Sequence, residues 1–173
     1  MVVLVKEIKP QRFNDKDFQR VIRNALYRQA RLVLKDFEET VRTWEHKPAF
    51  VVKTHATAQI PSPSLEVYTT DEIYGYVDKG TKPHDIFAGA YTGKSNKKTL
   101  AFPSMFSPKT KPGSLKSSAG RSGGSTVHTP YVHHPGTEPR NFSENIEKKH
   151  EKSFRKEMEK AMAEAAKASG HGM

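Results

Sequence analysis

Between Asn14 or Asp15 and about Glu45, the apolar residues Phe18, Val21, Ile22, Ala25, Leu26, Leu32, Val33, Phe37, Val41 and Trp44 recur at steps of three and four. That spacing places them on one face of an α-helix. Asn14 and Asp15 are both good N-cap types, and neither Pro nor Gly interrupts before Pro48, so one long amphipathic helix is expected. Its other face mixes Arg20, Arg23, Arg28, Arg31 and Arg42 with Asp36, Glu38 and Glu39, the composition of a solvated surface with some helical ion pairs. A second stripe, Phe142, Ile146, His150, Phe154, Met158, Met162 and Ala165, predicts a closing helix from about Asn141 to Lys167. Pro139 before it and Gly170 after it punctuate its ends, leaving Ser169 to Met173 as a frayed tail.

The middle of the chain has a different period. Ala49 to Ala56 is β-branched and aromatic, and Ser64 to Thr70 alternates Leu65, Val67 and Thr69 with Glu66, Tyr68 and Thr70. Both read as strands, separated by a turn at Pro61-Ser62-Pro63. Ile73-Tyr74-Gly75-Tyr76-Val77, another aromatic strand candidate, leads into a compact turn at Asp78 to Pro83, and Leu100 to Phe102 and Val127 to His133 are two further short strands. Ser104 to Ser125 has the Pro, Gly, Ser and Lys content of an unpacked loop, and a loop that long is usually functional or disordered. The fold class expected is α+β: an antiparallel sheet of about four strands packed with the two long helices, in a single domain spanning the chain. One short echo links distant segments: Gly80-Thr81-Lys82-Pro83 and Gly136-Thr137-Glu138-Pro139 share the form G-T-x-P. In each, Gly reverses the chain and Pro, lacking an N–H, ends strand pairing.

Composition narrows the chemistry. The 173 residues are 35% hydrophobic, enough for one modest core. Cysteine is absent, which excludes disulfides, thiol nucleophiles and Cys-rich zinc modules and suits a reducing cytoplasm. No segment approaches the roughly 20 apolar residues of a membrane span, so a soluble chain is expected. Lys and Arg number 29 against 19 Asp and Glu, for a formal charge of +10. From Ile86 to Thr137 there is no acidic residue, while Lys94, Lys97, Lys98, Lys109, Lys111, Lys116 and Arg121 are all positive. These side chains are candidates for contact with the phosphates of double-stranded DNA, without sequence readout. No aromatic residue lies between Phe106 and Tyr131 to stack bases. The alternative is a solvated loop that orders against a neighbouring subunit.

Two other function classes stand beside a structural role. His84, His128, His133 and His134 fall near turns, with Asp78 and Asp85 beside them, and imidazole is a frequent metal ligand. Against a metal hydrolase, His133 and His134 point to opposite faces of a strand, and no carboxylate lies between Asp85 and Glu138. Asp78 is equally explained as a turn former. A small basic nucleic-acid-binding protein is the other alternative, but both helices carry nearly balanced charge, poor footing for reading a groove. No phosphate-cradling G-x-x-x-x-G-K-[ST] element occurs. Although Gly120-Arg121-Ser122-Gly123-Gly124 has the form G-x-S-x-G, it is embedded in Ser with no strand-to-helix pattern following, so it does not mark a nucleophile elbow. No catalytic residue, metal or cofactor is expected.

The order of long helix, strands, Tyr76-Val77-Asp78-Lys79-Gly80-Thr81, Leu100-Ala101-Phe102, His134-Pro135-Gly136-Thr137-Glu138-Pro139-Arg140-Asn141-Phe142 and closing helix resembles the tail-component family of lambdoid siphophages. These are neck or tail-completion proteins that join head to tail. The likeness runs from about Asp15 to Ala165; a longer stretch between Phe102 and Val127 departs from it. It implies a non-enzymatic virion subunit, made in the host cytoplasm, forming a homo-oligomeric ring of roughly six or twelve copies. Such a ring surrounds the DNA channel and contacts adjacent neck, portal-adaptor or tail-tube proteins, with no membrane involved. Under this resemblance the turn residues Asp78, Gly80, Thr81, Pro83, Pro135, Gly136, Thr137, Pro139 and Phe142 are expected at subunit contacts.

Overall fold

A computed structural model of the chain describes residues 15–55, 63–89 and 98–170. The fold is α+β: long N-terminal and C-terminal helices pack together with short antiparallel two-stranded sheets. In order these elements are α1 (Asp15–Thr40), β1 (Val51–His55), β2 (Ser64–Tyr68), α2 (Glu72–Lys79), β3 (His84–Phe87), β4 (Leu100–Ser107), β5 (Arg121–Thr129), β6 (Tyr131–His134) and α3 (Phe142–Ala168). Among the described residues the strands pair as β1 with β2, β3 with β6 and β4 with β5, where the sequence pattern suggests one sheet of about four strands. The described residues fall into two compact units, one from 15–32, 52–55, 63–66 and 150–170, the other from 33–51, 67–89 and 98–149.

In the first unit the amphipathic stripes of α1 and α3 bury Ile22, Ala25 and Leu26 against Met158, Ala161 and Ala165, with Phe18, Val21, Leu65 and Phe154 at the margin. The alanines let the two helix surfaces approach closely. Burying Leu26 completely contributes about 2–3 kcal/mol. The stripe on α3 follows steps of four as far as Met158 and then passes to Ala161 and Ala165, leaving Met162 on the surface at 40% exposure. Steps of four overshoot the 3.6-residue turn, so a step of three must restore the face. Arg28 donates to Glu157 at 2.8 Å and holds that carboxyl below the usual carboxylate range.

The second unit is built around an aromatic cluster. Phe37, Val41, Tyr74, Phe142 and Ile146 are buried, with Val33, Trp44, Phe50, Val67, Val77 and Leu115 packed on them. Tyr74 is its hub: its ring centroid lies 5.2 Å from Phe50, 5.8 Å from Phe142, and 6.2 Å from both Phe37 and Trp44. Tyr74 sits on α2, so the segment Ile73 to Val77 is helical rather than extended. Its β-type residues are overruled by a helix start and stop that frame them. The Asp71 carboxylate accepts the Tyr74 N–H at 2.8 Å, and Gly80 ends the helix at φ +75°.

α1 stops at Thr40, short of the Glu45 that the apolar pattern suggests. The last turn tightens through Val41 and Arg42, whose N–H groups reach back three residues, to Glu38 O and Glu39 O. The Lys47 ammonium then donates to the Val41 carbonyl at 2.9 Å and the Arg42 carbonyl at 2.6 Å. A cation on the last carbonyls satisfies acceptors that the helix itself leaves open.

Candidate functional site

The two G-T-x-P turns lie against each other. Thr81 N–H donates to Thr137 O at 3.0 Å, and Thr137 N–H returns the bond to Thr81 O at 3.1 Å while also reaching Thr81 Oγ1 at 2.9 Å. Gly80 and Gly136 flank this bridge at φ +75° and +91°. A Cβ on Gly80 would stand 2.5 Å from Thr137 O, and one on Gly136 2.3 Å from Thr81 O. The echo thus has a reciprocal steric meaning: each glycine makes room for the other turn's threonine carbonyl.

Beneath this clamp, α2 and α3 are stitched together. The Asp78 carboxylate, 7% exposed, accepts Ser143 N–H at 3.2 Å through Oδ1 and the Ser143 hydroxyl at 2.7 Å through Oδ2. It caps the positive end of α3 from another helix. The Asp78 carbonyl accepts from Arg140 N–H at 3.1 Å and Asn141 N–H at 2.9 Å. Asn141 takes φ +53°, a conformation that Asn tolerates better than most residues, and turns the chain into α3. Phe142 is fully buried and packs on Tyr74. Nearby, burial pushes the Tyr74 hydroxyl pKa up, and the Asp78 charge adds to it. The Thr40 and Ser143 hydroxyls oppose the rise without completing a hydrogen bond to Tyr74 Oη.

Above the clamp runs a two-stranded ribbon. From Thr81 and Thr137 the pairing continues in one register through His84–His134, Asp85–His133, Ile86–Val132 and Phe87–Tyr131. Ala88 N–H then donates to Pro130 O at 2.9 Å. Beyond Pro130, which has no N–H to donate, the same chain continues as β5 and pairs with β4 from Leu100–Thr129 to Ser107–Arg121. A bulge interrupts this pair between Pro103 and Met105, opposite Gly124 at φ +84°.

Residues 104–125, which read as an unpacked loop, are therefore strand at both ends, and only 108–120 is connection. That connection is fastened down. Thr110 and Ser117 are buried, Leu115 joins the aromatic cluster, and Ser117 Oγ accepts from Thr43 N–H at 2.9 Å. β4 and β5 show no alternation because both of their faces meet solvent: Ala101 to Phe106 and Arg121 to His128 are all exposed.

The seven basic candidates divide by position. Lys94 and Lys97 lie outside the described residues. Lys98, Lys111, Lys116 and Arg121 are exposed around the ribbon, while Lys109 pairs with Glu45 at 3.6 Å. Of the turn candidates, Asp78 and Phe142 have buried intrachain roles; Pro83, Pro135 and Pro139 are exposed, and Gly80, Thr81, Gly136 and Thr137 are half-buried in the clamp. Three of the four candidate histidines lie on the β3–β6 pair, and the fourth lies apart on β5. His84 and His134 stack with centroids 5.1 Å apart, His133 pairs with Asp85 at 2.8 Å, and His128 is exposed on β5 opposite Ala101. Asp78 faces Ser143 rather than any of them. Among the described residues, no three His, Asp or Glu side chains converge to hold a metal. No described helix is long and apolar enough to cross a membrane.

No protein-family model, curated protein or solved structure matches this chain.

Proposed function

We propose that this chain is a structural, non-enzymatic subunit of a tailed-phage particle, forming a ring at the head–tail junction around the DNA channel. The observation that carries the reading is the clamp. The two segments on which the resemblance to neck and tail-completion proteins rests, Tyr76 to Thr81 and His134 to Phe142, are 56 residues apart at Thr81 and Thr137, yet they meet as one hydrogen-bonded unit. An arrangement in which two remote motifs exist to position each other explains why both are present. It also fixes the base of an exposed ribbon whose free charges are all positive, a surface suited to neighbouring subunits and to screened contact with phosphates.

In this role the protein is part of the virion after synthesis in the host cytoplasm. Its partners are other copies of itself and the neck, portal-adaptor or tail-tube proteins above and below. The test is the mass of the purified protein by light scattering, alone and with proteins from adjacent reading frames, together with negative-stain imaging. Rings, or a monomer recruited into rings by a neighbour, are expected. A lasting monomer with no particle partner would overturn the reading.

A further inference from the structure

The ribbon of β4 and β5 lacks what usually stabilises a hairpin. Two strands alone are marginal in water unless a third strand or an apolar surface covers them. Here apolar side chains stand in solvent: Phe106 is 78% exposed, Met105 69%, and Phe102 and Val127 37% each. The connection 108–120 is anchored, so the ribbon is held in place but left bare.

The first unit carries a surface of matching character. An open groove of about 570 Å³ runs along α3 and is lined by Pro63, Phe154, Met158 and Met162, with Glu151 and Glu159 on its rim. Arg155 also borders it but is paired with Glu151 at 3.4 Å. Methionine-rich apolar grooves adapt readily to an inserted aromatic side chain. The ribbon has no acidic residue, and Arg121 lies opposite Ser107, next to the exposed Met105–Phe106 step. An apolar knob flanked by positive charge thus answers an apolar groove whose rim, once Arg155 and Glu151 offset each other, carries the carboxylate of Glu159.

We propose that the occupant of the groove is the Met105–Phe106 end of the ribbon from a second copy of this chain. Each copy then offers one knob and one groove at different places on its surface. This is a head-to-tail contact, which builds a ring when the rotation it imposes closes and an open filament when it does not. The inference rests on the ring reading above and names the contact that builds it.

Absence of cysteine allows a direct test. Ser122, exposed and paired opposite Phe106, is changed to Cys in one preparation of the full chain, and Met162 to Cys in another. The two are mixed under oxidising conditions, at concentrations and with neck partners that give assembled particles. The expected result is a disulfide between a Ser122→Cys chain and a Met162→Cys chain, seen on a non-reducing gel. In parallel, Phe106→Glu and Met162→Glu each weaken self-association at least tenfold. The exposed ribbon variant His128→Ala leaves it unchanged, and all three retain the wild-type unfolding transition. Rings that form without the cross-link, or a ribbon cysteine that captures only a neck partner, overturn this contact and leave the ring reading standing. A chain that never assembles overturns both.

Discussion

The α-carbon of Gly136 lies so near Thr81 that a methyl group on it would stand 2.3 Å from the Thr81 carbonyl oxygen. Gly136 also sits at φ +91°, so a side chain there meets both a clash and an unfavourable backbone conformation. Gly136→Ala is expected to lower stability by about 2–4 kcal/mol, and Gly80→Ala by a similar amount. Gly80→Val or Gly136→Val should damage assembly more than His84→Ala, whose exposed ring bonds to the Lys82 carbonyl and stacks on the His134 ring. Urea unfolding gives the stability, and light scattering gives the assembly. Wild-type assembly by both valine variants would defeat the idea that the clamp positions the contacts.

Asp78 makes a different prediction because its carboxylate acts on a helix 65 residues away. Asp78→Ala removes the cap of α3 and leaves Ser143 N–H short of an acceptor, at a cost of about 1–3 kcal/mol. Ser143→Ala loses only the hydroxyl bond and should cost less. In a double-mutant cycle the two changes should be strongly non-additive; independent effects would show that the cap is not a unit.

Tyr74 separates packing from polarity. Its ring touches four aromatic neighbours, but its buried hydroxyl completes no hydrogen bond. Tyr74→Phe is therefore expected to leave stability unchanged or raise it by up to ~1 kcal/mol. Tyr74→Ala should cost ~3–5 kcal/mol through the cavity it opens. A large loss in the phenylalanine variant, measured by thermal unfolding, would mean that the hydroxyl has a partner.

Acid should loosen the start of α2. Asp71 is held below its ordinary carboxyl pKa, first by the Tyr74 N–H it accepts and then by its hydrogen bond with His46. A depressed folded-state pKa contributes stability that is complete above the unfolded-state value and is lost as pH falls through the folded-state one. The urea midpoint of the wild type should thus fall more steeply between roughly pH 5 and pH 2 than that of Asp71→Asn. Parallel profiles would remove Asp71 from the acid response.

The charge on the ribbon predicts a salt dependence. If Lys98, Lys111, Lys116 and Arg121 meet DNA phosphates, affinity for double-stranded DNA falls with salt, and replacing all four with Ala flattens the log–log slope by up to about 3.6, or 0.9 per contact. The loss should not depend on sequence. A slope unchanged by the four substitutions would assign these charges to protein contacts instead.

Both long helices were legible from the chain because their apolar residues obey a helical period over many turns, and that signal survives local noise. α2 was not, since Ile73, Tyr74, Tyr76 and Val77 have strand-like side chains and its identity rests on Asp71, Gly80 and the burial of Tyr74. The full length of β4 and β5 was hidden for another reason. Backbone pairing needs no particular side chain, and a ribbon wet on both faces carries no alternation to read. The G-T-x-P echo was visible, but not that its two copies bond to each other, because nothing local encodes a partner 56 residues away. Asp78 reads as a turn former for the same reason: the helix it caps lies elsewhere in the sequence.

Both buried clusters depend on α3, one through Phe142 and Ile146 and the other through Met158, Ala161 and Ala165. On the ribosome, α1 emerges first and waits for a helix more than a hundred residues downstream, as the 129-residue separation of Arg28 from Glu157 marks. At ~5–20 residues per second that is roughly 6–26 s during which Ile22 and Leu26 lack their α3 partners Met158, Ala161 and Ala165. Neither buried cluster is consequently complete until α3 has emerged, and a product truncated before α3 keeps neither core whole.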